Sequence, residues 1–170
     1  MRLRYVKNAF DIINASPEIC IQDPELHKGK WSELFPNKKG NLSLEIGCGK
    51  GQFLTELGKM NENEAYIGLE MMSSVICRAV QKIDENKITN VLLINKDGSN
   101  ILDYFNEGEI DRLYLNFPDP WPKARHAKRR LTAPANLERY KKLANLCKQF
   151  GGYFLEEGLD IDLWCKCTYK

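Results

Sequence analysis

The sequence predicts an open, mostly parallel α/β sheet with helices on both faces. Three observations point there. From about residue 41 onward, short apolar runs alternate with stretches of helical periodicity, the pattern of parallel strands joined by crossover helices. The first run ends in glycines at 47, 49 and 51. Acidic residues recur where successive runs end, and in such sheets that end is the ligand-binding rim.

The elements follow in order. Residues 1–40 are polar and turn-rich, with Pro17, Pro24, Gly29, Pro36 and Gly40, and read as an extension before a main domain of 41–150. Leu42 to Ile46 is the first strand. Gln52 to Met60 sets Phe53, Leu54 and Leu57 at helical spacing. Ala65 to Glu70 is the second strand. A helix starting at Ser73 carries Val75, Ile76, Ala79, Val80 and Ile83 on one stripe. Asn90 to Asn95 is the third strand, Ile101 to Phe105 a short helix, and Ile110 to Phe117 the fourth strand. A polar loop runs to Thr132. Pro134, suited to a first helical turn, opens a helix that Gly151 and Gly152 end. A fifth strand would begin at Tyr153.

Composition narrows the function classes. A chain of 170 residues is one domain by length. No run of 18 apolar residues occurs and Met1 to Phe10 has no apolar core, so neither a membrane span nor a secretory signal is expected. Six cysteines lack any C-x-x-C pairing and only two histidines accompany them. The expectation is reduced thiols in a cytoplasmic protein, with no metal and no disulfide scaffold. The net charge of +2 is small, but five Lys or Arg crowd the eight residues from Lys123 to Arg130.

The glycine loop is G-x-G-x-G, not the G-x-G-x-x-G of dinucleotide sites. Gly47 and Gly49 let the backbone approach a ligand closely. Glu45 beside the loop would repel a phosphate and suit a cation, and S-adenosylmethionine carries both an ammonium and a sulfonium. Glu70, ending the second strand, can accept hydrogen bonds from ribose hydroxyls. Asp97, after the third, could accept from an adenine amino group.

The fourth strand leads into Asn116-Phe-Pro-Asp-Pro-Trp-Pro122, where three prolines in five residues stiffen the exit. Trp121 can stack on a purine. Asp119 can accept from a guanine's N1–H and 2-amino group. The basic run that follows, with Lys123, Arg125, His126, Lys128, Arg129 and Arg130, suits phosphates of an RNA.

At Glu45 to Gly51, Tyr66 to Glu70 and Asn116 to Arg130 the sequence resembles the bacterial tRNA (guanine-N7)-methyltransferases, over about residues 1 to 150. The 116–130 motif is long and specific; the glycine loop alone would be weak. The resemblance implies a Rossmann-like class I fold, S-adenosyl-L-methionine as cofactor, and tRNA (guanine(46)-N7) methylation in the variable loop. It implies that Glu45, Glu70, Asp97 and Asp119 line the cofactor site, with Asp119 catalytic, Lys123 on substrate, and Arg125 to Arg130 on RNA. A monomer is favoured. In that family the fifth strand leads to a Lys-Thr-Asp motif, then two more strands and a Thr-x-x-Glu motif. Residues 151–170 match neither. The expectation is a tail that is truncated or out of frame and a sheet missing its last strands. Two other readings stand beside an active methyltransferase: an inactive remnant that keeps only RNA or cofactor binding, and a nucleotide-dependent oxidoreductase, which the glycine spacing and Glu45 disfavour.

Overall fold

The computed structural model describes residues 6–116 and 130–143. Five parallel strands form one sheet: β1 (Cys20–Ile21), β2 (Leu42–Ile46), β3 (Ala65–Leu69), β4 (Val91–Ile94) and β5 (Arg112–Tyr114). Their spatial order is β1-β4-β3-β2-β5. Leu44 pairs with Ile67 on one side and Leu113 on the other, and Cys20 pairs with Leu93. The chain builds outward from β2 through β3 to β4, then crosses back to lay β5 on the other side of β2. The strand order therefore reverses between β2 and β5, which opens a crevice at their carboxyl ends.

Successive residues of each strand feed opposite cores, as the two-residue strand period requires. Leu42, Leu44, Ile46, Ile67, Leu69 and Ile94 face one core, together with α4 (Ile101–Tyr104) and α5 (Pro134–Leu143). Tyr66, Val91 and Leu93 face the other, with α1 (Ala9–Asn14), α2 (Gln52–Met60) and α3 (Ser73–Glu85). The apolar stripe expected on α3 is buried throughout. At about 1.5–3 kcal/mol for each Val or Ile, that burial outweighs the modest helix propensity of its β-branched residues.

Residues 6–40 are built into the sheet and the core. Strand β1 extends the sheet beyond β4, and Leu93 N–H donates to Ile19 O at 2.7 Å. Trp31 is fully buried, stacks on Phe105 at 5.2 Å, and donates its indole N–H to Tyr104 O at 2.8 Å. The Glu109 carboxylate accepts from the backbone N–H groups of Gly29, Trp31 and Asn106. This segment thus seals one edge of the core.

Two strand ends differ from expectation for local reasons. The paired residues of β5 begin at Arg112; just before them Asp111 N–H donates to Leu42 O at 2.8 Å while its carboxylate accepts from Leu42 N–H at 2.8 Å. Leu115 and Asn116 follow the last paired residue, Tyr114, and Asn116 turns its amide to a side chain described below. Asn90 precedes β4, and its amide donates to Gly58 O, Asn61 O and Glu64 O, fastening the end of α2 to the start of β3. The expected fifth strand and the rest of the helix beyond Leu143 lie outside the described residues.

Candidate functional site

The carboxyl ends of β2, β3 and β4 converge at the crevice. The glycine loop leaves β2 and folds over the end of β3, where Gly47 and Cys48 N–H donate to Leu69 O at 2.8 and 3.1 Å. Gly49 and Gly51 have φ of +59° and +68°, a region that favours glycine. They differ in surroundings. A Cβ on Gly51 would lie 2.8 Å from Ala79 Cβ, so here the loop presses on α3. A Cβ on Gly49 would meet nothing within 4 Å among the described residues. Lys82 of α3 steadies the loop from outside, donating to Lys50 O at 3.1 Å and Gln52 Oε1 at 2.7 Å.

Glu45 is 2% exposed, the charge-bearing residue most fully buried among those described. Asn116 Nδ2 donates to its Oε1 at 2.9 Å, while its Oε2 is buried without a partner among the described residues. Burial pushes its carboxyl up to about 7; the Asn116 hydrogen bond opposes this and the Glu70 charge adds to it. A buried acid with an unmatched oxygen is costly unless a ligand completes it.

Glu70 leaves β3 and curls back. Its Oε2 accepts from Gly49 N–H at 3.2 Å and its Oε1 from Met72 N–H at 2.9 Å. A carboxylate has about four lone-pair sites, so acceptor capacity remains. Asn95, just past β4, donates to Glu70 O at 2.8 Å and accepts from Ser73 Oγ at 2.9 Å. This clasp holds the turn that exposes Met71 and Met72, at 63% and 43%.

Asp97 is exposed after β4 and caps a 3-10 turn at Gly98–Asn100, accepting from Ser99 N–H at 2.8 Å. A Cβ on Gly98 would lie 3.3 Å from Leu69 Cδ2 and 3.5 Å from Ile46 Cγ2, so this turn sits over the ends of β3 and β2. Leu131 Cδ1 lies 2.9 Å from where a Gly47 Cβ would stand. Leu131 follows Arg130, so the end of the basic run returns to the glycine loop.

The structure therefore gathers Glu45, Gly47, Gly49, Glu70 and Asp97 on one rim, with Arg130 adjacent. Asp119, Trp121, Lys123, Arg125, His126, Lys128 and Arg129 lie outside the described residues. Sequence reasoning missed Asn116 as the partner of Glu45, the Asn95–Ser73 clasp, and the exposed methionine pair. The buried thiol of Cys48, pushed well up by burial and then by Glu45 and Glu70, is held neutral and is no nucleophile. Among the described residues no group of three or more His, Cys, Asp or Glu is placed to hold a metal ion.

A parallel sheet with a glycine loop and strand-end acids at its reversal point defines a Rossmann-like α/β protein. Solved structures share this fold: a SAM dependent methyltransferase from Aquifex aeolicus, with TM-score 0.50 and 20% identity, over 83% of this chain and 68% of that one. An antibiotic related methyltransferase aligns with TM-score 0.55 and 16% identity, over 68% of this chain and 58% of that one. The family model described as "Putative methyltransferase" matches residues 39–149. The tRNA (guanine-N(7)-)-methyltransferase of Geobacillus sp. (strain WCH70) is 50% identical over 143 residues, 84% of this chain and 64% of that protein. That of Streptococcus gordonii (strain Challis) is 44% identical over 84% of this chain and 67% of its own length. The chain belongs to this methyltransferase family, and it spans about two thirds of the length of the relatives it matches.

Proposed function

We propose that this chain is a tRNA (guanine(46)-N7)-methyltransferase that transfers a methyl group from S-adenosyl-L-methionine to N7 of a variable-loop guanine. The observation that carries the reading is the buried Glu45 carboxyl, with one oxygen unmatched, beside an open glycine loop at the sheet's reversal point. The donor set fits the cofactor. Glu45 suits a positively charged group, Gly49 leaves room for close approach, and Glu70 has acceptor sites for ribose hydroxyls. Met71 and Met72 supply apolar surface for a purine beside it, and Asp97 an acceptor for its amino group.

When bound, S-adenosylmethionine supplies a methyl group on a sulfonium that leaves as a neutral thioether. Guanine N7 is already a lone-pair nucleophile, so no residue has to remove a proton from it. The positive charge moves onto the base, where a nearby carboxylate stabilises it. Asp119 is the residue proposed for that role, and for holding the guanine edge. Trp121 would stack on the base, and Lys123, Arg125, His126, Lys128, Arg129 and Arg130 would engage the RNA.

The test is methyl incorporation from labelled S-adenosylmethionine into tRNA lacking the modification, comparing the wild-type chain with Asp119→Ala. Incorporation by the wild type and its loss in a folded Asp119→Ala supports the reading. Near-normal turnover by the variant removes the role given to Asp119.

A further inference from the structure

Glu45 lies at the centre of the candidate site, yet 71 residues separate it from the side chain that holds it. Asn116 sits where β5 ends, across the crevice from the glycine loop, and its Nδ2 reaches Glu45 Oε1 at 2.9 Å. This hydrogen bond spans the two strands between which the sheet order reverses. It also divides the carboxylate: Oε1 is occupied, while Oε2 is buried without a partner among the described residues. An amide N–H donor favours the ionised form of the acid it touches. Among the described residues, other titratable groups also face Glu45. Glu70 at the end of β3 raises its proton affinity, the Cys48 thiol is held neutral, and Tyr114 is its neighbour on β5.

We propose that Asn116 is a positioning residue for the cationic ligand: its amide clamps one Glu45 oxygen and leaves the other, ionised, for the ligand's positive group. This rests on the cofactor reading given above. A leucine at 116 keeps the approximate shape and removes the donor, so Glu45 holds its proton more tightly. Affinity for a cation then falls, and its dependence on pH moves upward. A merely structural role for Asn116 would not move that pH dependence.

The experiment is calorimetric titration of the full 170-residue chain with S-adenosylmethionine at pH values from 5.5 to 9. Wild type, Asn116→Leu and Asn116→Asp are compared, with circular dichroism and thermal melting to establish folding. Wild-type affinity should fall as pH drops through about 7, where Glu45 takes up its proton. Asn116→Leu should bind roughly ten- to hundredfold more weakly at neutral pH, the range for losing a hydrogen bond to a charged group. Its pH midpoint should lie above the wild type's. Asn116→Asp, which sets a second acid against Glu45, should raise the midpoint at least as far. A folded Asn116→Leu or Asn116→Asp with wild-type affinity and midpoint overturns the proposal and leaves the cofactor reading intact. No binding by the folded wild type at any pH overturns both.

Discussion

Substituting alanine at Gly49 and at Gly51 separates the loop's ligand-facing side from its packed side. Both glycines have positive φ, so alanine at either costs about 1–2 kcal/mol of backbone strain. At Gly49 little else follows, because the new Cβ meets nothing within 4 Å among the described residues. At Gly51 the Cβ would stand 2.8 Å from Ala79 Cβ, a short side chain that cannot swing away. Overpacking of this kind adds about 1–3 kcal/mol. The totals are roughly 1–2 and 2–5 kcal/mol. At about 2–4 °C per kcal/mol for a chain of this size, Gly49→Ala should melt about 2–8 °C below wild type and Gly51→Ala about 4–20 °C below. Ligand binding should rank differently. If the open space beside Gly49 receives S-adenosylmethionine, its alanine variant should lose about tenfold or more in affinity while staying well folded. Thermal melting followed by calorimetric titration reads both quantities. Wild-type affinity in Gly49→Ala, or equal destabilisation by the two substitutions, would refute the division of the loop.

Other expectations follow from the same geometry. The Glu45 carboxyl lies at about 7 against an ordinary 4.5, so the unfolded chain gives up this proton first. Its contribution to stability is therefore most favourable below about pH 4.5, declines as pH rises to about 7, and is flat above. Glu45→Gln removes that decline: its stability relative to wild type should increase by up to about 3 kcal/mol across this window, measured by denaturant titration at several pH values, and a constant difference would contradict the assignment. Trp31→Ala should cost about 3–5 kcal/mol, because a fully buried ring and the indole bond to Tyr104 O are lost; a loss under about 1 kcal/mol would mean residues 1–40 are peripheral after all. Arg129→Ala and Arg130→Ala should weaken tRNA binding and each reduce the salt slope by about 1; an unchanged slope counts against phosphate contacts there.

Much of this architecture was readable in the sequence because its causes are local. The α2 limits fall where the periodicity puts them, at Gln52 and Met60, and the buried stripe of α3 is the one its spacing gives. The glycine loop and the strand-end acids were legible because an open parallel sheet gives its carboxyl rim a predictable place in the chain. What stayed hidden depends on distant pairing. A two-residue strand and two 3-10 turns have no period to detect, so residues 1–40 showed only as polar and turn-rich. Nothing adjacent to Trp31 marks it as the plug against Phe105. Asn116 looked like one more letter of a proline-rich motif; its value comes from facing Glu45 across the reversal point. Asp111 reads as a strand residue, yet it precedes the paired ladder and binds Leu42 twice, its N–H to Leu42 O and its carboxylate to Leu42 N–H.

The most direct measurement is identification of the product nucleoside. The purified chain is incubated with isotopically labelled S-adenosylmethionine and tRNA lacking the modification, and the RNA is digested and separated by mass spectrometry. The account predicts label in 7-methylguanosine, abolished by Asp119→Ala. Label in another methylated nucleoside, or none from a chain that is folded and binds the cofactor, would contradict it.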